Sequence, residues 1–327
     1  MKVTIYSVKD FERPFLQDYG KDHDLHLIPE PLCNENADQS EGSKAVITFP
    51  TDTVSDQVID QLKSQGIDYL ISRSAGVDHI EIDHAHEQGM KVANTPEYSN
   101  SAIAEHAIAM MLLLNRNLIK ANKKIDRHDF RLKGLVGKEL SKQTVGIVGV
   151  GSIGSKVTEI LNGFGSEILL YDVVKNEELE KKYNARYVEL EELCRNSDII
   201  TIHAPLNDKT KHLIDREKIE RMKNGVVLLN LSRGGIVKTE DLIEALKSGK
   251  VGKAGLDVYE NEKGLFFFDH SDEPINDEMF TYLESNENVF ITAHQAFTTE
   301  TALTRMTKMA FETLEKWEDG EEPENTL

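Results

Sequence analysis

Cysteine is scarce in this chain of 327 residues: only Cys33 and Cys194 occur, far apart and outside any C-x-x-C pattern. Neither a disulfide framework nor a zinc-ribbon spacing can be built from them, so two reduced thiols in an intracellular protein are expected. Long apolar runs are also missing. The longest, Ala107 to Leu114, falls far short of the roughly 20 residues that span a bilayer. The opening Met1-Lys-Val-Thr-Ile-Tyr6 alternates like a strand and lacks the apolar stretch of a signal peptide. A soluble, cytoplasmic protein without a membrane partner is expected. Positive charge is in deficit, with 38 Lys+Arg against 57 Asp+Glu and a net charge of −19. Such a surface repels nucleic-acid phosphates and anionic lipids, although a local cluster of donors can still take up a small anion.

What is present describes an ordinary globular protein. The hydrophobic and charged fractions of 39% and 29% sit near the averages for soluble domains, and the length favours roughly two domains over one. Strand-like runs at Lys2 to Ser7, Leu25 to Ile28, Ala45 to Phe49, Tyr69 to Ser72 and Lys91 to Asn94 alternate with helical spacing such as Asp56 to Gln65. They predict a βα domain of about a hundred residues. A long helix is predicted after Tyr98, capped from Ser99, Asn100 or Ser101, with Ile103, Ala107, Met110, Leu114 and Leu118 at helical spacing. Its apolar stretch must be buried, in a core or between subunits. Six further strands, Thr144 to Val150, Glu167 to Tyr171, Asp198 to His203, Gly225 to Leu231, Lys253 to Val258 and Val289 to Ala293, are nearly continuous Val/Ile/Leu runs. Strands buried on both faces of a doubly wound parallel sheet read this way.

Gly149-Val-Gly151-Ser-Ile-Gly154 directly follows the first of these six strands and opens a helical segment, Ser155 to Leu161. Gly149 suits a tight turn, Gly151 a close approach to pyrophosphate and Gly154 the packing of helix on strand, while the helix N-terminus offers N–H groups to an anion. Asp172, eighteen positions past Gly154, ends the next strand. A carboxylate there accepts hydrogen bonds from a ribose and repels a 2′-phosphate, which favours NAD over NADP.

A nicotinamide enzyme that reduces a ketone needs a cation for the substrate's charge and an acid for its oxygen. Arg233, in Leu231-Ser-Arg-Gly-Gly235 after a late strand, has the planar fork that holds a carboxylate. His294, ending the last strand in Thr292-Ala-His-Gln-Ala-Phe297, belongs to the residue type that exchanges protons near neutrality. Glu262, in Asp257-Val-Tyr-Glu-Asn-Glu262, would hold the imidazolium if placed beside His294. His84 and His86 fall on different helix faces, so no metal site is expected.

Together the G-V-G-S-I-G loop, Asp172, Leu-Ser-Arg-Gly-Gly, Asp-Val-Tyr-Glu-Asn-Glu and Ala-His-Gln-Ala-Phe resemble the D-isomer-specific 2-hydroxyacid dehydrogenases, and the fermentative D-lactate branch in particular. The block Asn261 to Phe268 and the segment Pro96 to His106 share the likeness, which covers almost the whole chain. The resemblance implies an α/β fold of two doubly wound, Rossmann-like domains with parallel sheets. A discontinuous, flavodoxin-like substrate domain would comprise 1–98 plus 297–327, with an NAD-binding domain at 99–296 and a cleft between them. It implies that Arg233 binds the 2-keto acid, His294 is the acid/base and Glu262 its partner. Ala75 and Gly76 would bind substrate carboxylate through their amides, and Tyr98 and Phe297 would line the pocket. Gly149, Gly151, Ser152, Ile153, Gly154, Asp172, Ala204, Pro205, Thr210, Leu231, Ser232, Arg233 and Asp257 match cofactor-contacting positions, with His203 next to them. The expected activity is NAD-dependent exchange between a 2-keto acid and its 2-hydroxy acid, with pyruvate favoured, by a homodimer or higher homo-oligomer. Hydroxypyruvate, glyoxylate or branched 2-keto acids are the alternative substrates. An NAD(H)-sensing interaction module is the alternative of another class.

Overall fold

Short β-branched and leucine-rich runs form the strands, and their two-residue periodicity sorts side chains onto opposite sheet faces. A computed structural model describes all 327 residues, in two units: Met1–Ser99 with Thr298–Leu327, and Asn100–Phe297.

In the first unit β1 (Lys2–Ile5), β2 (Asp24–Leu27), β3 (Ala45–Thr48), β4 (Tyr69–Ser72) and β5 (Lys91–Ala93) form one sheet. Their order is β2-β1-β3-β4-β5, with every pair parallel. This is the flavodoxin type of doubly wound sheet. Alternation divides its core in two. Val46, Leu70 and Val92 face a cluster with Val58, Ile59 and Leu62. Val3, Ile5, Ala45, Ile47 and Ile71 face Ala310, Phe311, Leu314 and Trp317. Those last four come from the helix Glu300–Glu318, so the end of the chain covers one face of the first unit's sheet. Its last residues also join the sheet margin, where Leu327 N donates to Val92 O at 2.9 Å.

The second unit holds β6 (Thr144–Val148), β7 (Glu167–Tyr171), β8 (Ala185–Tyr187), β9 (Ile199–Ile202), β10 (Val226–Asn230), β11 (Val251–Leu256) and β12 (Val289–Ile291). Their order is β12-β11-β10-β9-β6-β7-β8, again wholly parallel. That is the Rossmann order extended by one strand, with its reversal between β6 and β9, where such sheets open a ligand crevice. The helix Asn100–Asn115 buries Ala104, Ala107, Met110, Met111 and Leu114 against this sheet. These residues are core of its own unit, while Ala109 is exposed and Ile103, Leu112 and Leu113 are half-buried. No helix is long and apolar enough to cross a membrane.

Three expectations need correction. The second sheet has seven strands, not six: β8 is only three residues long, and its central Arg186 is exposed at the sheet edge, so no apolar run announces it. The long helix stops at Asn115, and Leu118 opens a separate helix, Leu118–Ile125. Asn117 breaks the run with a left-handed backbone (φ 54°), a conformation that Asn tolerates. Several strands also end one or two residues early at their carboxyl ends, where Val150, His203, Leu231 and Ala293 belong to loops.

Beneath the carboxyl end of the first sheet lies an ion pair with no access to water. Arg73 Nη1 is 2.7 Å from Glu12 Oε1, and the two side chains are 0% and 1% exposed. Arg73 Nη2 donates to Tyr6 O at 2.6 Å, and the guanidinium lies 5.3 Å from the Phe49 ring centroid. Removing one partner of such a pair leaves a buried charge uncompensated. Glu12→Ala is expected to lower unfolding stability by about 3–5 kcal/mol, whereas the double change Glu12→Leu with Arg73→Met recovers most of it. Urea unfolding of the parent chain and the two variants checks this. A double variant no more stable than Glu12→Ala would refute it.

Candidate active site

The chemistry-bearing residues of the second unit gather on loops at the carboxyl ends of its strands. His294 follows β12 with a left-handed backbone (φ 51°), and its N–H donates to Asp257 O at 2.7 Å. Asp257, just past β11, is 1% exposed. Its Oδ1 accepts from Thr292 Oγ1 at 2.5 Å and Gln295 N at 2.9 Å, and its Oδ2 from Ala296 N at 3.0 Å. A single buried carboxylate thus fastens both sides of the His294 turn. Asp257 was expected as a cofactor contact, and the structure shows its carboxylate turned to this loop.

His294 Nδ1 meets Glu262 Oε1 at 2.8 Å. Because an ionised carboxylate only accepts, Nδ1 carries the hydrogen and Nε2 is the nitrogen left for proton exchange. Glu262 is held from behind, since its Oε2 accepts from Tyr259 N at 3.0 Å. The Phe267 ring stands 5.8 Å from the imidazole centroid, tilted by 40°.

Arg233 sits in the turn after β10. Asn230 Nδ2 donates to Arg233 O at 2.9 Å, and Arg233 Nη1 donates to Ser232 O at 3.0 Å. The next residue must be glycine, because a Cβ on Gly234 would collide with the backbone of Tyr259 and Glu260. That close approach presses the Arg233 turn onto the segment that carries Glu262. Sequence reasoning overlooked His106. From the helix Asn100–Asn115, its Nε2 lies 3.1 Å from Thr292 Oγ1 and 3.8 Å from Asp257 Oδ1. A histidine within an otherwise apolar helix was the available signal.

The glycine loop after β6 fits a dinucleotide. Gly149 adopts φ +88°, and a Cβ there would meet the backbone N of Ala204 in the loop after β9, so the two loops touch at the sheet's reversal point. Gly151 is the N-cap of the helix Ser152–Phe164 and brings no capping side chain. The first-turn N–H groups, which no helix can satisfy internally, are available to a phosphate. Asp172 Oδ2 accepts from Val150 N at 2.6 Å and Oδ1 from Val174 N at 3.0 Å. The acid therefore braces the glycine loop and stays half-buried at the strand end, each oxygen keeping a lone pair for a ribose hydroxyl. Ser232 Oγ donates to Ala204 O at 2.5 Å, and Thr210 Oγ1 donates to Pro205 O at 2.6 Å. Ala204, Pro205, Thr210 and Ser232 thereby form one bonded rim, with Leu231 buried behind it.

In the first unit, Ser74 O accepts from Thr95 N at 3.1 Å and Ala75 O from Asn94 Nδ2 at 2.7 Å. In planar trans peptides the N–H opposes the C=O, so the amides of Ala75 and Gly76 point away from β5. Tyr98 is buried in this unit and Phe297 in the other. No group of three or more His, Cys, Asp and Glu has metal-binding geometry, and His84 instead pairs with Asp60.

A Rossmann sheet with this loop, acid and His–Glu pair defines a nicotinamide-dependent dehydrogenase. Residues 108–296 match the model of the D-isomer specific 2-hydroxyacid dehydrogenase NAD binding domain. The chain is 38% identical over 329 residues to D-lactate dehydrogenase of Escherichia coli K12, with all of both chains covered. It is 38% identical over 323 residues to an aromatic 2-oxoacid reductase of Clostridium sporogenes, covering 97% of this chain and 96% of the other. The solved pyruvate reductase of Chlamydomonas reinhardtii superposes with a TM-score of 0.92 at 35% identity, covering 99% of this chain and 98% of that one. The chain belongs to the D-isomer specific 2-hydroxyacid dehydrogenase family and is an NAD-dependent enzyme of that family.

His203, beside the cofactor loop, gives a pH test of the fold. Burial pushes its pKa down from 6.5 to about 3, and its Nε2 lies 2.9 Å from Thr201 Oγ1. The unfolded chain therefore binds a proton that the folded chain rejects, so stability rises with pH across that window and falls on acidification. Lowering the pH to 4 is expected to cost up to about 3 kcal/mol through this residue. Urea midpoints between pH 4 and 7 should vary less in His203→Gln, and parallel curves would contradict the assignment.

Proposed function

We propose that this enzyme is a D-lactate dehydrogenase that exchanges pyruvate and D-lactate. The observation that carries the reading is the His294–Glu262 pair at 2.8 Å, joined to the Arg233 turn by the contact at Gly234. Arg233 holds the substrate carboxylate and polarises the keto oxygen with its planar fork. NADH, when bound, would supply the hydride for C2. His294 would give its Nε2 proton to the C2 oxygen, and its neutral imidazole would be reloaded from solvent. In the reverse direction Nε2 takes the hydroxyl proton. Glu262 keeps the ring oriented and its charged form compensated through Nδ1. The amides of Ala75 and Gly76 take a carboxylate oxygen, with Tyr98 and Phe297 lining the substrate pocket. Gly149, Gly151, Ser152, Ile153, Gly154 and the rim from Ala204 to Ser232 hold the dinucleotide, with Asp172 on the ribose. The D configuration of the product follows from the family.

The test is NADH oxidation with pyruvate, hydroxypyruvate, glyoxylate and 2-ketoisocaproate, with the chirality of the product determined. Highest kcat/KM on pyruvate is expected. A strong preference for a larger acid would replace the substrate, and no turnover on any would favour an NAD(H)-sensing module. His294→Ala should lower kcat by roughly 10²-fold to 10⁴-fold, and Arg233→Lys should lower kcat/KM, because a point charge cannot replace the fork. Near-normal turnover by either variant would sink the assigned roles.

We also infer self-association through residues 116–142. The helix Leu118–Ile125 buries none of its residues, and Phe130, Leu132 and Val136 are 69%, 77% and 91% exposed. Exposed apolar groups of this size mark an interaction surface. The stretch carries nine Lys/Arg against three Asp/Glu in a chain of net charge −19, so the acidic body of a second copy is its complement. Light scattering should show an oligomer that Phe130→Ser with Leu132→Ser dissociates. A monomeric parent chain would refute this.

A further inference from the structure

The segment Asp257 to Glu262 carries two glutamates, and the reading above gives work only to Glu262. Glu260 has a histidine of its own. Its Oε1 lies 2.6 Å from His212 Nε2, and its Oε2 accepts from Thr239 N at 3.0 Å, at the start of the helix Thr239–Ser248. The carboxylate orients this ring as the other glutamate orients His294, except that here the donor is Nε2. The side chains are 33% and 25% exposed, more sheltered than the surface pairs that contribute little.

The pair joins three pieces of chain. His212 lies two residues past Thr210, on the loop expected to meet the cofactor. Its own N–H donates to Gly235 O at 2.8 Å, two residues past Arg233. Glu260 is two residues before Glu262, and the Tyr259–Glu260 peptide is what leaves Gly234 no room for a side chain. His212 holds a left-handed backbone (φ 52°), a conformation that persists in a non-glycine residue only when its surroundings impose it. Further along the loop the next ties are Ile214 N to Ile236 O at 3.0 Å and Lys238 N to Ile214 O at 3.0 Å. Between Thr210 and Ile214, the His212–Glu260 pair ties the loop by side chains to the segment that carries Glu262.

We infer that His212 and Glu260 form a positioning pair that couples the Thr210 loop to the placement of Arg233 and Glu262. The inference rests on the proposed roles of Arg233 and Glu262 and adds that the neighbouring His–Glu pair makes their geometry depend on the cofactor loop. A group one ångström out of place is enough to slow a reaction by roughly 10²-fold, so a clasp remote from the reacting atoms acts on turnover without touching substrate.

The experiment uses the full chain and the 2-keto acid that it turns over best. Four variants are compared: Glu260→Ala; Glu260→Gln, whose oxygen still accepts from Thr239 N while its NH2 can donate to His212 Nε2 in the tautomer that carries its hydrogen on Nδ1; His212→Asn, whose side chain tolerates the left-handed backbone; and the double variant His212→Asn with Glu260→Ala. Each is measured for NADH affinity by fluorescence, for kcat and KM of the keto acid at saturating NADH, and for urea midpoint. Glu260→Ala and His212→Asn are each expected to lose roughly 10-fold in kcat/KM, with the double variant no worse than either single one, because the two act as a unit. Glu260→Gln should retain most of the activity. Unchanged kcat/KM in Glu260→Ala, additive losses, or losses that only track a falling urea midpoint would each overturn the coupling while leaving the reaction assignment intact. Failure of the parent chain to reduce any keto acid would instead remove the reading on which the inference rests, and the coupling with it.

Discussion

The buried carboxylate of Asp257 is the constraint around which the second unit's candidate site is organised. A carboxylate with 1% exposure is tolerable only if its oxygens are fully engaged, and here the donors are Thr292 Oγ1 and the amides of Gln295 and Ala296. Those donors bracket His294. The need to satisfy one buried charge therefore also fixes the backbone that aims the imidazole, and the left-handed conformation of His294 is held by bonds on both sides. His106 extends the arrangement into the helix behind, through Thr292. A helix buried for its apolar girth thus also reaches the site's support.

Charge works locally in the same way. A chain of net charge −19 binds anions as an enzyme of this family, and the composition alone argues against that. On the proposed reading, the donors that reverse the balance are not mainly side-chain cations: they are the first-turn N–H groups of the helix Ser152–Phe164 and the amides of Ala75 and Gly76, supplemented by Arg233. Backbone dipoles do not enter a charge count, so net charge misjudges a site built from them. Asp172 shows the converse, an acid that braces the glycine loop from the end of β7, kept half-buried with two backbone N–H bonds.

Much of the fold was legible because buried parallel strands leave uninterrupted Val/Ile/Leu runs. What escaped has physical causes. β8 is too short to make a run, and its exposed Arg186 reads as surface. The burial of Arg73 and Glu12 escaped because sequence cannot show two charges finding each other in a core. The strand ends were overestimated where apolar residues such as Val150, Leu231 and Ala293 continue the hydrophobic pattern into loops. In the candidate site, Arg233, Glu262 and His294 stood out as chemically apt residues at or after strand ends. The amides of Ala75 and Gly76 came only from family likeness, because backbone donors have no residue signature. His106 was missed because a lone histidine in an apolar helix gives no hint of its partner.

The two glutamates of the Asp257 to Glu262 segment show what a motif leaves undecided. Two residues apart on one strand-end segment, Glu260 and Glu262 have the same chemistry, and either could have been the partner of His294. Folding separates them by what lies behind each. Glu262 turns back on its own loop, taking the Tyr259 amide with one oxygen and His294 with the other. Glu260 reaches instead to the start of the following helix and to His212. The division depends on Gly234, whose missing side chain lets the Arg233 turn lie directly on the Tyr259–Glu260 backbone. A bulkier residue there would push the segment away and move both carboxylates together. The placement of Arg233 relative to the two glutamates thus rests on one backbone contact as well as on the side chains themselves.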